Sequence, residues 1–186
     1  MSDILAKVKQ RFPSVALIEP SPVYDIASLK VAPGDYLSLM RFLKEDMDFE
    51  YLDFLTAVDW KGAVDVRGYI TDPNPNPFLP EGATPEIAVE TNPKFPYRDV
   101  IELVVILSNW KIPAKLCVRA ELSRSEPKIS SLSGFWKGAD WQERETFDLL
   151  GVHFEGHHNL TKILTPDFTQ GHPLRKDYVH VKDKYD

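Results

Sequence analysis

Seven of the chain's 15 prolines fall between Asp72 and Pro96, with Pro73-Asn74-Pro75-Asn76-Pro77 at the head of that stretch. Each proline removes a backbone donor and enforces extended or turn geometry, so little regular structure can form there. The segment reads as a surface insertion. A folded core must therefore come from the patterned residues on either side of it.

Upstream, Ile4, Leu5, Val8 and Phe12 recur at helical spacing, giving a helix from about Asp3 to Arg11 that Ser2 can cap and Pro13 ends. Val15-Ala16-Leu17-Ile18 and Asp25 to Val31 read as strands, and Val64 to Ile70 alternates like a third. A second helix is expected over Gly34 to Asp46, where Pro33 suits the first turn and Leu37, Leu39, Met40, Phe42 and Leu43 form a broad apolar stripe. Tyr51 to Asp59 is a buried segment whose type the pattern fixes only weakly.

Downstream, Val100 to Leu107 and Lys115 to Leu122 are strong strands joined through Asn109-Trp110-Lys111-Ile112-Pro113. Ser123 to Gly138 reads as a loop with one short apolar piece. A helix follows through Trp141 to Leu150, expected to open on a capping box of Asp140 and Glu143 and to close on Gly151 in the left-handed region. Adjacent strands separated by helices give an α+β fold: a small mixed sheet covered by helices, with an extended C-terminal tail. The expected division is an α+β domain over 1–155, containing the 72–96 insertion, and a tail over 156–186.

The formal charge is −6, which argues against a general nucleic-acid binder. Cys117 is the only cysteine, too few for an internal disulfide or an ordinary iron–sulfur cluster, and its alternating surroundings make it a small strand residue. The longest apolar run, Leu103 to Leu107, is far short of the about 20 residues a membrane helix needs, and the N-terminus lacks the apolar core of a signal peptide. A soluble protein reaching a membrane only through partners is expected.

After Gly151 helical periodicity is lost, and Gly156, Pro166, Gly171 and Pro173 break any long element. Phe154, Leu160, Ile163, Leu164, Leu174 and Tyr178 are spaced through this polar tail as anchors. Being sparse, they lead to the expectation of a tail that is mobile before assembly. Glu143-Arg144-Glu145-Thr146-Phe147-Asp148-Leu149-Leu150-Gly151-Val152-His153-Phe154-Glu155-Gly156-His157 resembles the ERE-x-x-D-x-x-G-x-x-F-x-GH pattern of the 30-kDa subunit family of complex I, the NADH:quinone oxidoreductase. Leu160-Thr161-Lys162-Ile163-Leu164 and Gly171-His172-Pro173-Leu174-Arg175-Lys176-Asp177 are similar to the segments that follow it in that family. Two departures are the proline-rich insertion and Thr161, which stands where the family usually has a basic residue.

The resemblance implies a non-catalytic structural subunit of the peripheral arm of a proton-pumping NADH:quinone oxidoreductase, on the cytoplasmic side of the inner membrane. It implies a hydrogenase-like large subunit and cluster-bearing subunits as partners. FMN, iron–sulfur clusters, NADH and quinone would be handled by other subunits and no cofactor by this one. Partner contacts are expected at Glu143, Arg144, Glu145, Asp148, Phe154, Gly156, His157, Leu160, Ile163, Leu164, Gly171, His172, Pro173, Leu174, Arg175, Lys176 and Asp177.

The residues themselves fit that reading. Arg144 and Asp148 stand at i, i+4 and can pair on a helix, and Arg175 can grip a carboxylate through two parallel bonds. His153, His157, His158, His172 and His180 cluster in the tail, but Gly151 and Gly156 prevent a helix from presenting the His153–His157 pair, and the usual zinc companions are missing. Imidazole bonding to a partner's backbone is expected instead. There is no GxGxxG, Walker A or GxSxG segment, so NADH or flavin binding is not expected. Two alternatives stand: the equivalent subunit of a ferredoxin-linked complex I or membrane-bound hydrogenase, and a metal-dependent hydrolase built on the His/Asp tail.

Overall fold

The structure is a computed structural model that describes residues 2–18, 26–61 and 97–179. The expected strand at 64–70, the insertion and His180 lie outside these residues. The elements run α1 (Ser2–Arg11), β1 (Ala16–Ile18), β2 (Ala27–Val31), α2 (Pro33–Glu45), β3 (Tyr51–Asp59), β4 (Val100–Asn109), β5 (Ala114–Ser123), β6 (Lys128–Ser130), α3 (Ala139–Leu150) and β7 (His153–Glu155).

Five strands form one mixed sheet in the order β1-β2-β5-β4-β3, where only the β2–β5 pair is parallel. The period-2 pattern sets the register. Leu103, Val105 and Leu107 of β4 sit opposite Ala120, Val118 and Leu116 of β5, and all six are buried. Onto them α2 lays Leu39, Met40 and Leu43 of the expected stripe together with Tyr36, which the stripe omitted, while Leu37 and Phe42 are only partly buried; α1 adds Ile4 and Val8. The other face alternates to charge, with Lys30 and Glu121 2.8 Å apart, Arg98 paired to Glu121, and Arg119 3.8 Å from Glu102. Cys117 is a buried strand residue of β5, as its alternating surroundings lead one to expect.

The weakly patterned Tyr51 to Asp59 is a strand. It lies at the sheet edge with an irregularity between Leu52 and Phe54, so Leu52 packs on the core out of step with buried Leu55, Ala57 and Asp59 and the alternation is blurred. Its open edge is guarded by α3, whose Gln142 side chain accepts a hydrogen bond from the Leu55 N–H. The apolar piece expected in the 123–138 loop is β6, which pairs in parallel with β7 so that Ile129 and Phe154 meet in the core.

The capping box does not form. Gly138 is the N-cap residue, no side-chain cap bond is made, and Asp140 lies within the first turn of α3. The Glu143 carboxylate turns away to accept from the Ser131 hydroxyl (2.6 Å) and the Leu132 N–H (2.6 Å). Both donors come from the segment after β6, so the contact ties α3 to its neighbour instead of closing its own first turn. Asp140 still favours the positive end of the helix dipole.

Candidate functional site

The C-terminal end of α3 leaves backbone carbonyls without helical partners, as every helix does. Gly151 takes φ +75°, and its N–H reaches the Phe147 carbonyl at 2.9 Å. The next three acceptors are met by residues more than 20 positions further on. His172 Nδ1 sits 2.9 Å from the Asp148 carbonyl, the Leu174 N–H donates to Leu149 (2.9 Å), and Arg175 Nε donates to Leu150 (2.8 Å). The Gly171-His172-Pro173-Leu174-Arg175 run is therefore a remote helix cap, and the Arg175 charge stands at the negative end of the dipole. His172 also packs edge-on to Phe147, with ring centres 6.0 Å apart.

Gly151 has to be glycine for two reasons. Its positive φ disfavours any side chain, and an added Cβ would lie 2.5 Å from the His172 ring. Gly151→Ala is expected to cost about 2 kcal/mol and to expel His172. Urea denaturation combined with the loss of Phe147–His172 ring-current shifts checks this.

Asp148 builds a second contact. Its Oδ2 accepts from the successive N–H groups of Ile163 (3.0 Å), Leu164 (2.8 Å) and Thr165 (2.9 Å), and its Oδ1 from the Thr165 hydroxyl (2.5 Å). Three consecutive amides around one carboxylate form an anion nest, here closed by the chain's own aspartate. Burial opposes the charge, yet the Thr165 hydroxyl and the three amides together outweigh it and hold the carboxyl below its ordinary value. The expected Arg144–Asp148 pair does not form, because Asp148 is consumed by this loop. Arg144 lies over the Trp141 ring (5.2 Å) and donates to the Thr161 carbonyl (3.2 Å) and hydroxyl (2.8 Å). The departure at Thr161 thus supplies an acceptor where a basic residue would repel Arg144.

A third contact closes the tail onto the sheet. Arg124, just beyond β5, donates Nε and Nη2 to Asp59 at the end of β3 (3.0 and 2.9 Å) and Nη1 to Asp177 (2.8 Å), with Nη2 also reaching Asp177. The Lys176 N–H donates to Asp59 at 2.9 Å, and Arg175 Nη2 to the Arg124 carbonyl at 3.1 Å. The Arg124 side chain donates in two directions to two carboxylates, a geometry a point-like ammonium cannot copy. The bond from Arg124 brings Asp177 down to about 2. Asp59 is also lowered: burial pushes the other way, but Arg124 and the Lys176 and Lys61 N–H groups prevail.

The histidines fall into separate roles. His157 Nδ1 accepts from the Asn159 N–H (3.0 Å), so the proton of a neutral ring is on Nε2, which faces the Asp140 carbonyl (3.2 Å) and carboxylate (3.3 Å). Asp140, His157 and His158 bring one ligand atom each within 4.8 Å of one another. A metal there would need the Nε2 lone pair that the Asn159 bond assigns to a proton, so the arrangement serves hydrogen bonding. His153 lies apart, in β7. Below the cluster, Glu143 is fully buried and 3.9 Å from His157 Nε2. Burial pushes its carboxyl up to about 7, with Asp140 adding to the effect while Ser131 and Leu132 oppose it. A carboxyl raised on folding binds protons better in the folded state, so its contribution to stability is full below about pH 4.5 and is lost as pH rises through about 7. Glu143→Gln is expected to abolish the resulting loss of stability, read as the shift in urea midpoint between pH 5 and pH 7.5.

Many of the residues singled out from the sequence are thus held within this chain. Glu143, Asp148 and Phe154 are buried, Leu160 packs against the core, and Arg144, His157, Ile163, His172, Pro173 and Arg175 are half-buried. Gly156 and Gly171 make exposed turns at φ +84° and +73°. Glu145, Leu164, Leu174, Lys176 and Asp177 reach the surface. Sequence reasoning missed Arg124 and Asp59, whose only signal was charge at the ends of two strands. It also missed Trp141, Phe168 and Val179, apolar residues that stay exposed beside the tail's own anchors. The tail expected from sparse apolar anchors lies, over its described residues 156–179, against α3 and the sheet through polar bonds.

Comparison with known proteins follows the same outline. The family described as respiratory-chain NADH dehydrogenase, 30 Kd subunit, matches residues 29–184. The C subunit of the NADH-quinone oxidoreductase of Moorella thermoacetica is 33% identical over 178 residues, spanning 96% of this chain and 95% of the relative. The trypsin-resistant fragment (1-134) of Nqo5 superposes with a TM-score of 0.56 at 20% identity, covering 86% of this chain and 98% of the fragment. A chain of the membrane-bound sulfane sulfur reductase, an archaeal respiratory membrane complex, superposes with a TM-score of 0.64 at 18% identity, covering 95% and 84%. At such identities these two structures share the fold. Because the family match runs from β2 through α3 into the tail, the chain belongs to the 30-kDa subunit family of the respiratory-chain NADH dehydrogenase.

Proposed function

We propose that this chain is the 30-kDa-family scaffold in the peripheral arm of a proton-pumping NADH:quinone oxidoreductase, with no catalytic site of its own. The observation that carries this reading is the division of labour in the last third of the chain. Buried polar groups fix the tail's path, while Trp141, Leu164, Phe168, Leu174 and Val179 keep large apolar surface outside. Apolar side chains held on a fixed backbone are what a partner's pockets need, because little ordering entropy remains to be lost on docking. In this reading the hydrogenase-like large subunit receives the tail, and cluster-bearing subunits pack nearby. Electrons pass through the FMN, clusters and quinone site of those partners, on the cytoplasmic side of the inner membrane. No described helix is long and apolar enough to cross a membrane, in keeping with attachment through partners.

Leu164→Glu with Leu174→Glu tests it, since both side chains are exposed and only their backbone N–H groups, which glutamate keeps, join the polar contacts that fold the tail. The doubly substituted chain should melt with the parent yet fail to enter the peripheral arm, with NADH:quinone activity of membranes lost. An assembled, active complex carrying both substitutions would refute the docking role. Copurification of hydrogenase subunits in place of the NADH-input subunits would reassign the machine.

A further inference from the structure

We propose that the β4–β5 turn, at the far end of the sheet from the tail contacts, is a second docking site that takes an uncharged, apolar side chain of another subunit of the same assembly. This rests on the scaffold reading above. Trp110 is 69% exposed, yet its ring is fixed by stacking on Tyr51 (centres 4.3 Å apart, planes 15° apart). Ile112, two residues on in the turn, is also exposed. The turn itself is rigid. Asn109 is buried, its Oδ1 accepts from the N–H groups of Lys111 (2.9 Å) and Ile112 (3.0 Å), and its Nδ2 donates to the Met47 carbonyl (2.9 Å). Trp110, Pro113 and Ala114 help line a hollow of about 450 Å³.

Charge identifies the occupant. Every lysine around the turn already has an internal carboxylate: Lys111 with Asp48 (2.6 Å), Lys115 with Asp53 (3.0 Å) and Lys44 with Glu50 (3.2 Å). With its cations neutralised, the patch offers no net attraction to anionic lipid, nucleic acid or an acidic peptide, and what remains is aromatic and aliphatic surface. Rigid, exposed Trp and Tyr anchors suit an apolar protein contact. The ten residues of β4 separate this turn from the Arg124–Asp59–Asp177 contacts by about 30 Å. One chain can therefore bridge two neighbours from opposite ends of a stiff sheet.

Photo-crosslinking in the intact complex tests the bridge, with a photoreactive amino acid placed at Ile112 in one chain and at Leu174 in another. The expected result is capture of different oxidoreductase subunits by the two probes. Trp110→Glu should lower the Ile112 crosslink about tenfold while leaving the Leu174 crosslink and the melting temperature unchanged. Capture by Leu174 but none by Ile112 would overturn the second site alone. Ile112 capture of lipid, of another copy of this chain, or of the subunit that Leu174 captures would overturn it too. If neither probe finds an oxidoreductase subunit, the scaffold reading falls with it.

Discussion

A chain carrying Arg124→Ala is expected to lose about 4 kcal/mol of stability and to release Lys176 and Asp177 from the sheet. The side chains of Arg124 and Asp59 are almost wholly buried, so removing the guanidinium leaves a carboxylate away from water with only the Lys176 and Lys61 N–H groups for company. Asp177 is more than one-third exposed, so water compensates much of its loss and the effect falls chiefly on Asp59. Arg124→Lys should recover little, because an ammonium cannot make the paired bonds to both carboxylates. The acid limb carries a second signature. A carboxyl depressed on folding contributes stability above its ordinary value and loses it as pH falls through the depressed one. For Asp177 that window runs from 3.8 down to about 2. The variant should lose this protection and become less sensitive to pH there. Urea titrations at pH 7 and between pH 4 and pH 2 measure both effects.

Asp148→Ala should cost about 3 kcal/mol, since three backbone N–H groups and a hydroxyl lose the one carboxylate that satisfies them. Asp148→Asn separates geometry from charge. Its carbonyl can occupy the Oδ2 position and accept from the amides, while its NH2 can donate to the Thr165 hydroxyl. What it loses is the charge-assisted part, about 1 kcal/mol. A contact that served only to hold the tail would show the same order in hydrogen exchange, with Ile163, Leu164 and Thr165 least protected in the alanine chain and intermediate in the asparagine chain. Equal stability of all three chains would show that the nest does not hold the tail.

The fold was legible where periodicity was strong and local. The β4 and β5 alternation, the α2 stripe and the left-handed Gly151 needed only nearby residues to be read. Reading failed where a distant partner decides the outcome. Asp140 and Glu143 have capping-box spacing, but Ser131 and Leu132 offer Glu143 better-placed donors from another element. Arg144 and Asp148 have helical pair spacing, but the 163–165 amides claim the aspartate. Arg124 meets Asp59 and Asp177 across 65 and 53 residues, a pairing no local pattern encodes. The ordered motifs of the last third hold many of the residues that bond the tail to α3 and the sheet. Their chemistry alone did not tell which of them bond within the chain and which stay exposed.

Amide hydrogen exchange on the free, full-length chain tests most directly whether these motif residues fold their own tail. The amides of Ile163, Leu164, Thr165, Leu174 and Lys176, each bonded to Asp148, the Leu149 carbonyl or Asp59, should be protected before any partner is added. Their protection should fall selectively in the Arg124→Ala and Asp148→Ala chains. Exchange of all five at unfolded rates, while β4 and β5 stay protected, would contradict the claim and return those contacts to the partner.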